Sequence, residues 1–346
     1  MVRAMEKELH LQKDFLQNEP IKTIYFGGGT PSLLKGDELQ SVLRTVQELH
    51  VLNPPTEITL EANPDDLTPE ALHAFSLAGI NRLSIGIQTF HDDLLKFMNR
   101  AHDSATAINA VDLARKAGFD NISIDLIYAI PGQNNSRWEK DIEQALLLKP
   151  EHLSCYSLTI EDKTVFGKWS AAGKLKTVED DAAAHQLEML MNHLQTAGYE
   201  HYEVSNFARP GFHSRHNSSY WKQEKYLGIG PSAHSYNGVI RQFNINNNHL
   251  YLKSIQQNKI PAEREVLTTE DKINEYILTT LRTHWGTDLN RLHQDYSVNI
   301  LQKNSVYIHE LVERDLASLT NNVLTLTRKG KLLADKIASD LFVEKK

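Results

Sequence analysis

The sequence predicts an α/β fold, and three observations predict it. Between residues 21 and 160, five short apolar, β-branched runs alternate with helical stretches, the pattern of βα units that feed a parallel sheet. Glycines stand just past helical segments, where a C-cap needs backbone freedom. Polar residues, Glu61, Gln88 and Asp125, stand near the carboxyl ends of three separate apolar runs. Five repeats of the unit suggest a barrel; a flat doubly wound sheet is the competing architecture, and periodicity alone does not separate the two.

At the start, Val2, Met5, Leu9 and Leu16 lie near helical spacing, so residues 2–17 are expected to form an amphipathic helix. Nothing before Val2 offers an N-cap. The chain therefore reads as beginning inside a helix, and the strand that a βα series places before it is missing. The expected strands are Ile21–Phe26, Glu57–Glu61, Arg82–Gln88, Asn121–Ile127 and His152–Leu158. Helical segments fall at 37–50, 69–79, 104–117 and 136–148, with Pro69 near a helix start and Gly79 and Gly118 after helix ends. Beyond them lie a long helix near 179–197, a strand-like Tyr199–Val204 and a polar stretch from Ser205 to Asn248, long enough for a functional or disordered loop. From about Thr268 to Lys346 the composition turns helical. Asn322–Thr327, followed by Arg328-Lys-Gly330, reads as a strand and turn before a last helix at 331–342, together a small second domain. No solenoid repeat or low-complexity segment is present.

The 346 residues are 40% hydrophobic, enough for a real core and against disorder as the main state. Against 37 basic residues stand 44 acidic ones, a net charge of −7 without a long basic run, so nucleic acid is not an expected partner. Mean hydropathy is −0.43, no apolar stretch reaches about 18 residues, and the amino terminus lacks the apolar core of a signal peptide. A cytoplasmic protein is expected. The single cysteine, Cys155, permits neither an intrachain disulfide nor a cysteine-rich metal site within this sequence.

Chemistry concentrates at a few places. Gly27-Gly28-Gly29-Thr30-Pro31 directly follows an apolar strand; successive glycines let a ligand approach the main chain, which favours a cofactor loop over a plain turn. A phosphate-binding P-loop would need a following Lys-Ser/Thr, which is absent. In a parallel barrel the carboxyl-end face holds the site, so Glu61, Gln88 and Asp125 are expected to converge there; each alone is also explicable as a hydrogen-bonded core group. His213-Ser-Arg-His216-Asn217-Ser-Ser-Tyr220-Trp221 joins two histidines to aromatics. No third or fourth zinc ligand is nearby, and a flat aromatic or porphyrin ligand suits the set better; an ordered loop packed on the barrel is the alternative. Gly228-Ile-Gly230-Pro-Ser-Ala-His234 is a second glycine-bearing turn that could close the pocket. Cys155, inside an apolar strand, reads as packing.

Taken in order, Tyr25-Phe-Gly-Gly-Gly-Thr-Pro-Ser32, Glu61-Ala-Asn-Pro64, Arg82-Leu-Ser-Ile-Gly-Ile-Gln88, Asn99-Arg100-Ala-His102, Asp125-Leu-Ile-Tyr-Ala-Ile-Pro-Gly-Gln133 and His216-Asn-Ser-Ser-Tyr-Trp221 closely resemble the HemW heme chaperone family. That family stands with the oxygen-independent coproporphyrinogen III oxidases among radical S-adenosylmethionine (SAM) proteins. The resemblance covers nearly the whole chain. It implies an open (β/α)6 TIM-like partial barrel, here lacking its first strand, with a small mainly helical C-terminal domain. The implied segments are a radical SAM-like partial barrel over 1–205, a connecting region over 206–260 and a HemN-type C-terminal domain over 261–346.

By motif match, Gly29 and Thr30 would contact the methionine part of SAM, and Glu61, Gln88, Arg100 and Asp125 would hold its polar groups, with Ser157 and His234 as weaker carry-overs. His216, Asn217, Tyr220 and Trp221 match the HNxxYW motif linked to heme handling, which separates the chaperones from the oxidases. The implied partners are heme and a respiratory-chain acceptor at the membrane, with room left for a homodimer. The family's CxxxCxxC motif, whose three thiolates hold a 4Fe-4S cluster, is absent, so this sequence as written should bind no cluster and cleave no SAM. Met1 falls where the family would be partway through its first helix, so the resemblance implies a truncated product or a misplaced start. Ala129 replaces a usual family glycine, with a mild effect expected. The rival activities are oxidative decarboxylation of coproporphyrinogen III and, for a cluster-free barrel, ligand binding alone.

Overall fold

The computed structural model describes residues 1–344 and divides by packing into two units. One, the barrel unit, comprises residues 24–36 and 57–214; the second comprises 1–23, 37–56 and 215 onward. A seven-stranded sheet has the order β1-β2-β3-β4-β5-β7-β6. Its strands are β1 (Ile21–Phe26), β2 (Leu52–Ala62), β3 (Arg82–Gln88), β4 (Ile122–Tyr128), β5 (His152–Ser157), β6 (Glu200–Glu203) and β7 (Asn206–Ala208). Strands β2 to β5 pair in parallel, and β7 then pairs antiparallel to both β5 and β6. This is the α/β partial barrel the repeats pointed to.

Alternation along the strands separates two faces. Leu83, Ile85 and Ile87 of β3 and Ile122, Ile124 and Leu126 of β4 are fully buried, each contributing roughly 1.5–3 kcal/mol through removal from water. Ala107, Ala110, Val111 and Ala114 of the helix Ser104–Lys116 and Trp138, Ile142 and Ala145 of the helix Asn135–Leu147 supply further buried apolar surface. The other strand face carries Arg82, Ser84, Gly86 and Gln88, the polar residues from which the site is built. Helix starts follow the caps in the sequence: Thr68 accepts from the Ala71 amide ahead of Pro69, and Gly79 ends that helix at φ 97°.

In the second unit, the helix α1 (Val2–Leu11) is shorter than the expected 2–17: it leaves helical geometry at Gln12, and turns follow over 12–18, with Gln17 and Asn18 at positive φ. The Ser205–Asn248 stretch is largely structured. It contains β7, the helix α2 (Arg215–Trp221), β8 (His234–Tyr236) and β9 (Ile240–Asn244), the last two forming a hairpin that β10 (Ala262–Val266) extends. Asn237 and Gly238, with Gly238 at φ 91°, make the hairpin turn. Asn237 Oδ1 accepts from the Val239 and Ile240 amides at 3.1 and 2.8 Å. Toward the carboxyl end, β11 (Thr287–Asp288), β12 (Ala317–Thr320) and β13 (Val323–Leu326) form a small antiparallel sheet, and the expected last helix is split into Arg328–Lys331 and Ala334–Asp340.

A buried polar cluster holds α1 in this unit. The Glu8 carboxylate, fully buried, accepts from Tyr251 Oη (2.6 Å), Asn244 Nδ2 (2.7 Å), Gly230 N (2.8 Å) and Gln12 Nε2 (2.9 Å). Burial nonetheless pushes its carboxyl above the usual range. Gly230 sits at φ 109°, and a Cβ there would meet Met5 Cε at 2.9 Å, so α1 presses directly on this loop.

In the barrel unit, Ala129 adopts φ 57°, in the left-handed region that an L side chain pays for with about 1 kcal/mol or more. Ala129→Gly is accordingly expected to raise stability by roughly 0.5 kcal/mol, after glycine's greater chain entropy is subtracted; denaturant unfolding measures it, and a loss of stability would contradict the strain.

Candidate functional site

Three small groups of polar side chains line the inner strand face of the barrel unit. In the first, Glu61 near the end of β2 accepts from Tyr25 Oη at 2.7 Å and from the Gly28 amide at 3.1 Å. The glycine loop is thereby tied to a carboxylate. A Cβ on Gly27 would lie 2.5 Å from Tyr25 Cε1 and 2.8 Å from Glu61 Oε1, whereas Gly28 and Gly29 face open space, Gly28 at φ 79°. Gly29 and Thr30 are exposed on the loop, Thr30 preceding a short turn of helix at Pro31–Leu33.

The second group gathers around Gly86. Arg100 Nη2 donates to Asn63 Oδ1 at 2.7 Å and to the Gly86 carbonyl at 3.1 Å. Gln88 Nε2 and Arg100 Nη2 would lie 2.9 and 3.5 Å from a Cβ on Gly86. Gln88 itself sits at φ 72°, where the β3–β4 register shifts, a bulge that re-aims the side chain at the strand end. Burial lowers the Arg100 guanidinium from its ordinary value, against the pull of Asp65, Asp125 and Asp66, and its Nε has no hydrogen-bond partner.

Asp125 of β4 forms the third. Ser84 Oγ donates to its two oxygens at 3.1 and 3.2 Å, and the β2–β3–β4 register sets Glu61, Ser84 and Ser123 in one row, two residues below Asp125. Burial pushes its carboxyl up to about 6; Arg82 and Ser84 pull it back, and Glu61 raises it further. The raised value means that this group favours the folded state most below the ordinary 3.8, and that the contribution is lost as pH rises through about 6. The charged carboxylate needed for a cationic ligand exists above that same value. Affinity for a cationic ligand is therefore expected to climb between about pH 5 and pH 7, and Asp125→Asn to flatten the profile. An unchanged profile in the variant would contradict the assignment.

The structure thus brings Glu61, Gln88, Arg100 and Asp125 together with the glycine loop. Ser157 lies exposed at the end of β5 without a bond to them, and His234 falls in the other unit, as an exposed residue of β8. Tyr25 and Ser84 were not singled out from the sequence; the parallel register sets Ser84 beside Glu61, and the bond to Glu61 places Tyr25. Cys155 is 1% exposed and burial pushes its thiol well up, as its packing role requires. Among the described residues no group of three His, Cys, Asp or Glu is arranged to hold a metal ion.

In the second unit, the HNSSYW residues form α2. His216 and Tyr220, four apart, share one helix face with rings edge to face at 5.0 Å. Thr23 Oγ1 lies 3.0 Å from His216 Nδ1, and Tyr220 Oη 3.1 Å from Nε2. Tyr220 is exposed and also meets Tyr226 edge to face. Trp221 carries the Arg282 guanidinium over its ring at 5.6 Å, while its Nε1 is buried without a hydrogen-bond partner. Asn217 lies half-buried on the same helix.

Comparison with known proteins decides the family. The chain is 38% identical over 319 residues to the heme chaperone HemW of Lactococcus lactis, covering 92% of this chain and 84% of that one. It is 36% identical over 340 residues to HemW of Bacillus subtilis, covering 97% and 89%. The chain belongs to the HemW heme chaperone family. Within that HemW frame, the radical SAM superfamily model matches residues 2–145 and the HemN C-terminal domain model matches residues 267–333. The fold is also that of coproporphyrinogen III oxidase (HemN) from Escherichia coli, with a TM-score of 0.83 over 99% of this chain and 82% of that one at 22% identity.

Radical SAM membership implies SAM and a 4Fe-4S cluster. The residues fit the first. The Gly27 position that a Cβ would fill, the unpartnered Arg100 Nε and two carboxylates beside a cation suit a ligand carrying both positive charges and a carboxylate. They do not fit the second, since one buried cysteine cannot replace three thiolates.

Proposed function

We propose that this chain binds heme through α2 and passes it to respiratory proteins at the membrane, while the barrel unit binds SAM. The observation that carries the heme reading is His216 held at Nδ1 by Thr23, because a bond at one ring nitrogen orients the imidazole and leaves the other nitrogen as the candidate iron ligand. Tyr220, exposed and in contact with that other nitrogen, would turn aside on binding. Its ring and that of Trp221 offer faces to a flat macrocycle.

In the barrel, Glu61 and Asp125 would hold the cationic amino group of SAM, Arg100 its carboxylate, and the Gly27–Gly29 backbone would admit the ligand close to the chain. SAM bound there supplies a sulfonium and an α-amino acid; Asn63 and the Gly86 carbonyl fix the Arg100 guanidinium, with Gln88 beside Gly86.

The oxidase reading is separated by assay. With heme as titrant and coproporphyrinogen III as substrate, the expected result is saturable heme uptake at one equivalent with no protoporphyrinogen formed. Decarboxylation by this chain, or the absence of heme uptake, would overturn the proposal.

A further inference from the structure

Tyr226, in the loop after α2, and Tyr236 of β8 form a hydrogen-bonded antiparallel pair, each amide donating to the other's carbonyl at 2.8 and 2.9 Å. The register partner of Tyr236 on β9 is Arg241. Residues directly opposite on neighbouring strands project to one face, so the two phenol rings and the guanidinium form a single row. At its other end α2 continues the row. Tyr226 lies 6.4 Å from Tyr236 and meets Tyr220 edge to face at 4.7 Å, and His216 stands 5.0 Å from Tyr220. All five residues belong to the second unit, and each is at least partly open to solvent.

The glycine-bearing turn between the two tyrosines holds them in place. A Cβ on Gly228 would lie 2.1 Å from the His234 carbonyl oxygen, so this close approach requires glycine, and the Gly228 amide donates to the buried Ser235 Oγ at 3.0 Å. Part-exposed rings leading to a cation suit a flat aromatic ligand with an acidic edge. Arg241 is 34% exposed, and among the described residues its guanidinium bonds only through Nη2, to Glu275; the remaining donors are open to a carboxylate. Its charge opposes the rise that burial gives both phenols. Glu265, opposite Arg241 on β10, is exposed and ends the row with a charge that an acidic edge avoids.

We propose that Tyr226, Tyr236 and Arg241 extend the heme site from His216 along the β8–β9 hairpin, the two rings bearing on the macrocycle and Arg241 holding a propionate. This rests on the reading that His216 ligates the iron, and it names the residues that recognise the rest of the porphyrin.

The test titrates the full chain with heme, with heme dimethyl ester, whose propionates are blocked, and with iron-free protoporphyrin IX, which needs no axial ligand. Arg241→Gln is expected to weaken heme by about tenfold and the ester by less than about twofold. Tyr226→Leu is expected to weaken all three probes by about threefold or more, while Tyr226→Phe, which keeps the ring, leaves them unchanged. Glu275→Gln releases Arg241 and is expected to hold or strengthen heme. Weaker heme binding in Glu275→Gln, or equal weakening of heme and its ester in Arg241→Gln, makes the ion pair a structural strut and overturns the propionate contact. Unchanged affinity for heme and protoporphyrin IX in both Arg241→Gln and Tyr226→Leu overturns the extended site, and a Soret shift still lost in His216→Ala then leaves the functional reading standing. Failure of the unaltered chain to take up heme overturns both.

Discussion

Glu8→Ala is expected to lower the stability of the second unit by about 3 kcal/mol or more, because it strands several buried donors at once. Tyr251, Asn244, Gly230 and Gln12 all donate to this one carboxylate, and each unsatisfied group costs on the order of 1–3 kcal/mol. Relaxation and entering water recover part of the sum. For a unit of this size the loss corresponds to a fall in thermal midpoint of roughly 6–12 °C. Glu8→Gln should fall less, since its amide oxygen still accepts while its NH2 opposes the remaining donors. The Gly230 amide, which bonds Glu8 directly, should lose hydrogen-exchange protection in Glu8→Ala before the helices do. A midpoint equal to that of the unaltered chain would mean that the cluster does not hold α1.

Gly27→Ala is expected to have the largest effect on the barrel site. The added methyl would overlap Tyr25 Cε1 and the Glu61 carboxylate, and either side chain can move only by breaking the 2.7 Å bond between them. Overpacking of this kind costs about 1–3 kcal/mol, and a displaced Glu61 also releases the Gly28 amide. SAM affinity should fall by about tenfold or more. Gly29→Ala is the contrast for stability: nothing lies within 4 Å of its Cβ and its φ is not positive, so unfolding should shift by less than about 0.5 kcal/mol. Equal stability of the two variants would contradict the packing at Gly27.

Much of this barrel was legible because local signals agreed. Ile21–Phe26 and Arg82–Gln88 matched their strands to the residue, since each is a short apolar run followed by residues that cannot continue it: the glycines after Phe26 and the bulge at Gln88. Glu61, Gln88 and Asp125 were legible as polar residues near strand ends. Ser84 was not, because its place beside Glu61 depends on a register that only the assembled sheet fixes. The β8–β9 hairpin had its Asn237-Gly238 signal, but the strands are short and carry Gln242 and Asn244, polar residues buried by bonds to Gln12 and Glu8 more than 200 positions earlier. The same distance hid the role of Glu8, which in the sequence is one charged residue on an amphipathic helix.

The most direct test of the account is a visible-absorption titration of the full chain with heme, run beside His216→Ala. The account predicts a saturable Soret shift at one equivalent for the unaltered chain, abolished in His216→Ala while far-ultraviolet circular dichroism stays the same. An identical titration in the variant would contradict His216 as the iron ligand and with it the assignment of α2 as the heme site.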